Sequence, residues 1–333
     1  MAIRVMFYGL GPIGAAVARQ VATRKGFAVA GGIDIDPAKA DRDLGEVIGL
    51  GRRLKVNVER DAVKAIKATK PDAVVLCTSS SLKKVMPQIE SVLKLKVPIV
   101  STTEELAYPV GANRRVARRI DELAKKAKVA VLGTGVNPGF VMDALPIALT
   151  GVCERVDSIV IHRVQDARVR RLPFQQKIGS GLTKEQFEKK VEEGTVRHVG
   201  LAESVTMIAD AFGWKLDEVT DTIEPKLADQ TVKSEFLSVD RGYVCGLVQD
   251  GIGWKDGKAI VTLHMEAYLG APESYDSVTI EGSPRLEQRI AGGVHGDIAT
   301  ASITANSIPK ILEAKPGLRT MRDMALPSWW GGR

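Results

Sequence analysis

The chain has 333 residues, a formal charge of +7, and 44% hydrophobic against 26% charged residues. That length suits two domains, and no apolar run is long enough to cross a bilayer. The 47 basic residues are offset by 40 acids, often on mixed faces such as Arg118-Arg119-Ile120-Asp121-Glu122, and no nucleic-acid motif stands out, so neither membrane nor nucleic acid is expected as a partner.

Ile3 to Tyr8 reads as a buried strand. It runs into Gly9-Leu10-Gly11-Pro12-Ile13-Gly14, the spacing G-x-G-x-x-G, and a helical pattern carrying Ile13, Val17 and Val21 follows. Strand, glycine loop and helix in that order form a dinucleotide-binding context. Gly9 permits the tight turn, Gly11 admits the pyrophosphate, and Gly14 lets the helix pack on the strand. Pro12 and Ile13 complete the expected cofactor segment, where the helix N-terminus offers free N–H groups. A second strand, Phe27 to Ile33, ends at Asp34, twenty positions after Gly14. There an acid receives the adenosine ribose. Asp34 favours NAD; Lys39 and Arg42 are close enough along the loop to leave NADP open.

Leu54 to Val58 is expected as a third strand and Ala62 to Thr69 as a helix. Ala73 to Cys77 is a continuous apolar run, the pattern of a strand buried on both faces. It ends in Thr78-Ser79-Ser80. A helix follows from Leu82 to Leu95, interrupted by Pro87. Pro98 to Val100 leads into Ser101-Thr102-Thr103-Glu104-Glu105. Ala112 to Ala127 is a charged amphipathic helix, and Val129 to Leu132 a strand ending in Gly133 to Phe140. This alternation predicts an α/β, Rossmann-type doubly wound parallel sheet over residues 1–150.

The pattern then changes. A long strand spans Arg155 to Val164, Arg170 to Pro173 reads as a loop, and helices cover Thr183 to Glu193 and Ala202 to Phe212. Strand candidates follow at 219–223, 231–237, 242–248, 259–267 and 277–281, with Asp256-Gly257 as a hairpin signal. Residues 151–295 are therefore expected to form a second α+β domain with a mainly antiparallel sheet. A last helix from Gly296, capped by Asp297, and a tail ending in Trp329-Trp330 are expected to complete the first domain across 296–333, the tryptophans packing back on that domain or on a partner subunit.

Cys77, Cys153 and Cys245 show no metal-ligand or disulfide spacing, which fits a reducing, cytoplasmic setting. No metal is expected. The N-terminus lacks the order of a secretory signal.

In such a fold the ligand lies beyond the carboxyl ends of the strands. Thr78, Ser79, Ser80 and Thr102 stand there as cofactor contacts. Asn137 is a candidate for the nicotinamide carboxamide, and equally a turn former beside Pro138-Gly139. Glu104 and Glu105 are candidate acid/base groups; one of them is expected to favour a helix N-terminus instead. In the second domain Arg163 shares a strand face with Ile159 and Ile161, so it either pairs structurally or clamps a carboxylate. His264 is an ordinary strand histidine or a substrate contact. Gln176, Lys177 and Ser180 are further candidates.

The chain resembles 2,4-diaminopentanoate dehydrogenases and the related native amine dehydrogenases, nearly end to end. The resemblance rests on Gly9 to Gly14, Ile33 to Pro37 with Asp43 to Glu46, Ser101 to Leu106, Gly135 to Phe140, Gln176 to Gly181, and Gly296 to Thr300. It implies a fold similar to dihydrodipicolinate reductase and a homodimer joined through the second domain's sheet. It implies NAD- or NADP-dependent oxidative deamination of a small amine or diamino acid, reversible as amination of a ketone with ammonia. Glu104 maps to the proton-transfer glutamate, with Glu105 less favoured. Phe140 maps to the substrate pocket, and Arg163 with His264 to a carboxylate clamp. The alternatives are a dihydrodipicolinate reductase-like reductase, against which the missing paired histidines and downstream lysine argue, and a non-catalytic NAD(H)-binding redox sensor.

Overall fold

The computed structural model describes residues 1–332, apart from the side chain of Ala112. The chain forms two compact units, Met1–Phe140 with His295–Arg333, and Val141–Val294. The first boundary lies ten positions before the expected one at 150.

In the first unit the elements run β1 (Ile3–Tyr8), α1 (Pro12–Thr23), β2 (Phe27–Ile33), α2 (Leu44–Val47), β3 (Val58–Glu59), α3 (Ala62–Thr69), β4 (Ala73–Leu76), α4 (Leu82–Lys94), β5 (Ile99–Ser101), α5 (Arg114–Ala127) and β6 (Ala130–Gly133). In the second they are α6 (Ala144–Leu149), β7 (Arg155–Asp166), α7 (Leu172–Lys177), α8 (Lys184–Glu192), α9 (Leu201–Ala211), β8 (Glu218–Leu227), β9 (Val232–Lys233), β10 (Ser238–Val239), β11 (Val244–Lys255), β12 (Lys258–Tyr268), β13 (Tyr275–Ser283) and β14 (Leu286–Ala291). The chain then re-enters the first unit through α10 (Gly296–Glu313) and β15 (Gly317–Arg319).

The first sheet has seven strands in the order β15-β6-β5-β4-β1-β2-β3, all paired in parallel. Every residue of β4 is buried, which is why its sequence is apolar without alternation. On α4, Leu82, Val85, Ile89 and Val92 recur at helical spacing and join Met6, Ile33, Val74, Leu76 and Ile99 in one apolar core. The helix runs through Pro87.

The expected third strand shrinks to Val58–Glu59. The reason is Asp43: its carboxylate accepts from the amides of Gly45, Leu54 and Lys55 at 2.8, 3.0 and 2.7 Å. Two of those amides belong to the segment expected as strand. Asp297 falls inside the first turn of α10 rather than at its cap, which is His295. Of the two terminal tryptophans, Trp330 packs on Phe27 with ring centroids 4.4 Å apart, whereas Trp329 is 74% exposed.

The second sheet has six strands, β14-β13-β7-β12-β11-β8. Four of its pairings are antiparallel, and β7 with β12 is parallel. Asp256 and Gly257 turn β11 into β12 with positive φ at both residues, as a two-residue hairpin requires. The loop expected at 170–173 instead leads directly into α7, with Pro173 in its first turn.

Candidate active site

The site in the first unit begins with three glycines that differ in their surroundings. A Cβ on Gly14 would lie 1.9 Å from the Gly9 carbonyl oxygen, and one on Gly9 would lie 2.7 Å from that of Cys77. A Cβ on Gly11 would meet no atom within 4 Å. Gly9 and Gly14 are therefore required by packing, while Gly11 opens onto vacant space at the N-terminus of α1. Pro12 occupies the first turn, and Gly11 caps it without a side chain. This leaves backbone N–H groups for an anion.

Asp34 follows β2 and reaches back to this loop. Its Oδ2 accepts from the Leu10 amide at 2.9 Å and from Lys39 Nζ at 3.2 Å, and its Oδ1 accepts from the Asp36 amide at 3.0 Å. Burial opposes its charge. The bonds from the Asp36 and Leu10 amides and from Lys39 outweigh that opposition, so the carboxyl titrates below its usual range.

The loops after β4 and β5 are laced together. Ser101 Oγ donates to the Leu76 carbonyl at 2.9 Å, and Thr103 Oγ1 to that of Ser79 at 2.8 Å. Glu105 Oε2 accepts from the Leu82 amide at 2.7 Å, so Glu105 caps α4, whose Ser81 makes no side-chain cap. Thr102 and Glu104 alternate with these inward residues and stay half-buried. Thr78 and Ser80 are exposed and Ser79 half-buried. Thr78 donates to Gln88 at 2.5 Å, and Ser79 Oγ accepts from the Ser81 amide at 3.2 Å.

After β6, Thr134 and Asn137 are buried, and the Val136 amide donates to Thr300 Oγ1 of α10 at 3.3 Å. Thr134 Oγ1 is buried without a hydrogen-bond partner among the described residues. A buried hydroxyl of that kind is a place where a ligand amide can bind. Phe140, half-buried, ends the unit.

In the second unit the expected pairing of Arg163 with His264 is corrected. The parallel register sets His264 opposite His162, and Met265 opposite Arg163. Neighbouring residues on a strand point to opposite faces, so the Arg163 and His264 side chains lie on opposite sides of the sheet. Arg163 is 2% exposed. It pairs with Asp276 at 2.5 Å and donates to the Val294 carbonyl at 2.9 Å. His264 packs against His162 with the rings tilted and their centroids 5.0 Å apart, and bonds Asp250 at 2.7 Å and Glu266 at 3.1 Å.

The histidine near Arg163 is His198, which sequence reasoning passed over. Its backbone exchanges two bonds with the Gln249 side chain, both 2.9 Å. Its Nδ1 is buried without a hydrogen-bond partner among the described residues. Burial, together with the positive field of Lys177, Arg163, Arg170 and Arg197, holds the imidazole well below its ordinary value, hence neutral. Arg170 donates to Gln165 at 2.9 Å and lies over the Phe174 ring. Ser180, buried, donates to the Cys245 carbonyl at 3.1 Å. No spacing in the sequence marks His198; only the basic residues at 170, 177 and 197 hint at the cluster. Among the described residues, no group of three His, Cys, Asp or Glu is placed to hold a metal.

Residues 140–332 match the family described as the 2,4-diaminopentanoate dehydrogenase C-terminal domain. Over 98% of its length the chain is 34% identical to a 2,4-diaminopentanoate dehydrogenase of Acetoanaerobium sticklandii, covering 94% of that protein. It is 25% identical to an amine dehydrogenase of Streptomyces virginiae, covering 97% of this chain and 96% of that one. In fold it is similar to the amine dehydrogenase from Mycobacterium smegmatis, with a TM-score of 0.88, 23% identity, and coverage of 100% and 99% of the two chains. With all of the second unit inside the family match and 98% of the chain alignable at 34% identity, the protein belongs to the 2,4-diaminopentanoate dehydrogenase family.

Proposed function

We propose that the protein is an NAD(P)-dependent amine dehydrogenase. It deaminates a small amine or diamino acid such as 2,4-diaminopentanoate, and aminates the matching ketone with ammonia in reverse. Family membership supplies the reaction class. The observation that carries the site assignment concerns Glu105: its carboxylate caps α4 through the Leu82 amide, so of the acidic pair it is Glu104, half-buried at the carboxyl end of β5, that we assign to proton transfer.

The glycine loop fits a dinucleotide. The open space at Gly11 and the amides of α1 suit the pyrophosphate, Asp34 suits the ribose, and Thr134 and Asn137 suit the nicotinamide carboxamide. Thr78, Ser79, Ser80 and Thr102 supply hydroxyls at the strand ends. When bound, the cofactor supplies a hydride acceptor, or in reverse a hydride donor. Glu104 takes the proton from the substrate ammonium, because only the neutral amine can release hydride. It passes that proton to solvent, then takes one from water as the water adds to the substrate iminium carbon; delivered to the amino nitrogen, that proton lets ammonia leave as the new hydroxyl loses its own and becomes the carbonyl. In the amination direction it returns a proton to the departing hydroxyl. A positioned acid/base group is worth about 10²–10⁴-fold in rate.

The second unit accommodates an acidic substrate. Burial is the main cause that keeps His198 neutral, and the positive field of Lys177, Arg163, Arg170 and Arg197 that adds to it favours a carboxylate. This replaces the proposed clamp of Arg163 with His264: Arg163 acts through Asp276, and His264 lies on the other face. On that other face Val160, His162, Thr262, His264 and Ser277 are half-buried, which suits a homodimer joined sheet to sheet. The free thiols of Cys77, Cys153 and Cys245 suit the cytoplasm.

The test is NADH and NADPH oxidation with ammonia and 2-amino-4-oxopentanoate or simple ketones. Turnover that requires ammonia and collapses in Glu104→Gln supports the reading. Ammonia-independent reduction would return the lysine-pathway type of reductase, and nucleotide binding without turnover the sensor.

A further inference from the structure

The acids at the ribose position carry their own counter-ion. Lys39 Nζ lies 3.2 Å from Asp34 Oδ2 and 3.3 Å from Asp36 Oδ2, with 29% of its side chain exposed. The turn that presents it is built by Asp36, whose Oδ1 accepts from the Ala38 amide at 2.9 Å and whose carbonyl accepts from the amides of Lys39 and Ala40. Asp36 thus holds both the backbone and the ammonium of Lys39. Arg42 is exposed, and its Nη1 donates to the Ala38 carbonyl at 3.0 Å.

A carboxylate has about four acceptor sites. Asp34 spends two on the Leu10 and Asp36 amides, which shape the loop, and one on Lys39. A ribose with two free hydroxyls needs the position that Lys39 fills. A ribose 2′-phosphate needs a cation between itself and Asp34. The same ammonium serves both cases by moving between the two acids.

We propose that Lys39 sets the cofactor specificity: tethered by Asp36, it yields Asp34 to the hydroxyls of NAD or turns to the 2′-phosphate of NADP, so that one pocket takes both. The inference rests on the dinucleotide reading above and names the residue that decides between its two forms.

The test uses the adenosine half alone, so it does not depend on amine chemistry. The Kd values of 5′-AMP and 2′,5′-ADP are measured by calorimetry on the whole protein, wild type and variants. Wild type is expected to bind both. Lys39→Met should raise the Kd of 2′,5′-ADP relative to that of 5′-AMP by about tenfold or more, the effect of removing one charge-assisted contact. Lys39→Arg should keep most of the preference. Asp36→Asn, which frees the ammonium, should shift the ratio towards 2′,5′-ADP. The kcat/KM ratio of NADP to NAD should follow the same order. A ratio that Lys39→Met leaves unchanged, with both Kd values moving together, overturns this inference alone. Binding of neither nucleotide by wild type overturns it together with the dinucleotide reading.

Discussion

Glu105 and Leu82, twenty-three positions apart, meet at 2.7 Å, carboxylate oxygen to backbone amide. The contact closes the N-terminus of α4 from a neighbouring loop, where Ser81 makes no side-chain cap. It also commits Glu105 to the fold. Glu105→Gln should therefore cost stability, about 1 kcal/mol as for a lost cap, and leave most of kcat. Glu104→Gln should lower kcat by about 10²–10⁴-fold with an unaltered melting temperature. Thermal melts and steady-state kinetics on the two variants check the division; a reversed pattern would move the acid/base to Glu105.

Arg163 pairs with a buried Asp276, whose other oxygen accepts from the Val294 amide at 2.7 Å. Arg163→Met strands that carboxylate in the interior, which costs about 3–5 kcal/mol. Arg163→Met with Asp276→Asn should recover part of the loss. Urea midpoints of the single and double variants measure this. A stable single variant with only a raised KM would restore a direct substrate role.

Gly11 and Gly14 belong to one motif and should fail differently. Gly14→Ala drives a methyl into the Gly9 carbonyl, so it should lower the melting temperature. Gly11→Ala meets no protein atom, so it should keep the fold and lose dinucleotide affinity. Thermal shift with and without NADH separates the two.

Burial opposes charge on His264, but its hydrogen bonds to Asp250 and Glu266 more than offset this, so its pKa is raised. His162, half-buried and facing His264, is lowered by burial and by that neighbouring imidazole. A raised folded pKa contributes stability that is complete below the unfolded value of about 6.5, and that is lost as pH rises through the folded value. The melting-temperature advantage of wild type over His264→Gln should therefore be largest near about pH 6 and shrink by about pH 9. Lys226, paired with Glu266 at 3.6 Å, shares this cluster and is kept constant in the comparison. An advantage that grows with pH would mean that the histidine is neutral in its network.

The cationic surroundings of His198 give a substrate test. Lys177→Met should lower kcat/KM for a diamino acid by about tenfold and spare simple alkyl amines. Equal losses on both would show that the cluster is structural.

The dinucleotide half was legible in the sequence because its signals are local. A glycine loop between strand and helix, and an acid twenty positions on, need no knowledge of distant residues. Helices with a sustained apolar face, such as α4, were legible for the same reason. The glutamate pair was found locally as well, but the bond that Glu105 makes was not, because its partner, the Leu82 amide, comes from another loop.

Tertiary structure decided the rest through register and hydrogen-bond competition. A one-residue step along a strand changes its face, so setting Arg163 opposite Met265 was enough to break the pairing with His264. Asp43 drew the amides of Leu54 and Lys55 away from the sheet and shortened β3. Short β14, alternating Leu286, Gln288 and Ile290 with charged residues, became a strand only by pairing with β13. His198, outside any helix or strand, gained its surroundings from residues brought in by the fold. Sequence carries local geometry and composition; which groups share a face or compete for one amide is a property of the folded chain.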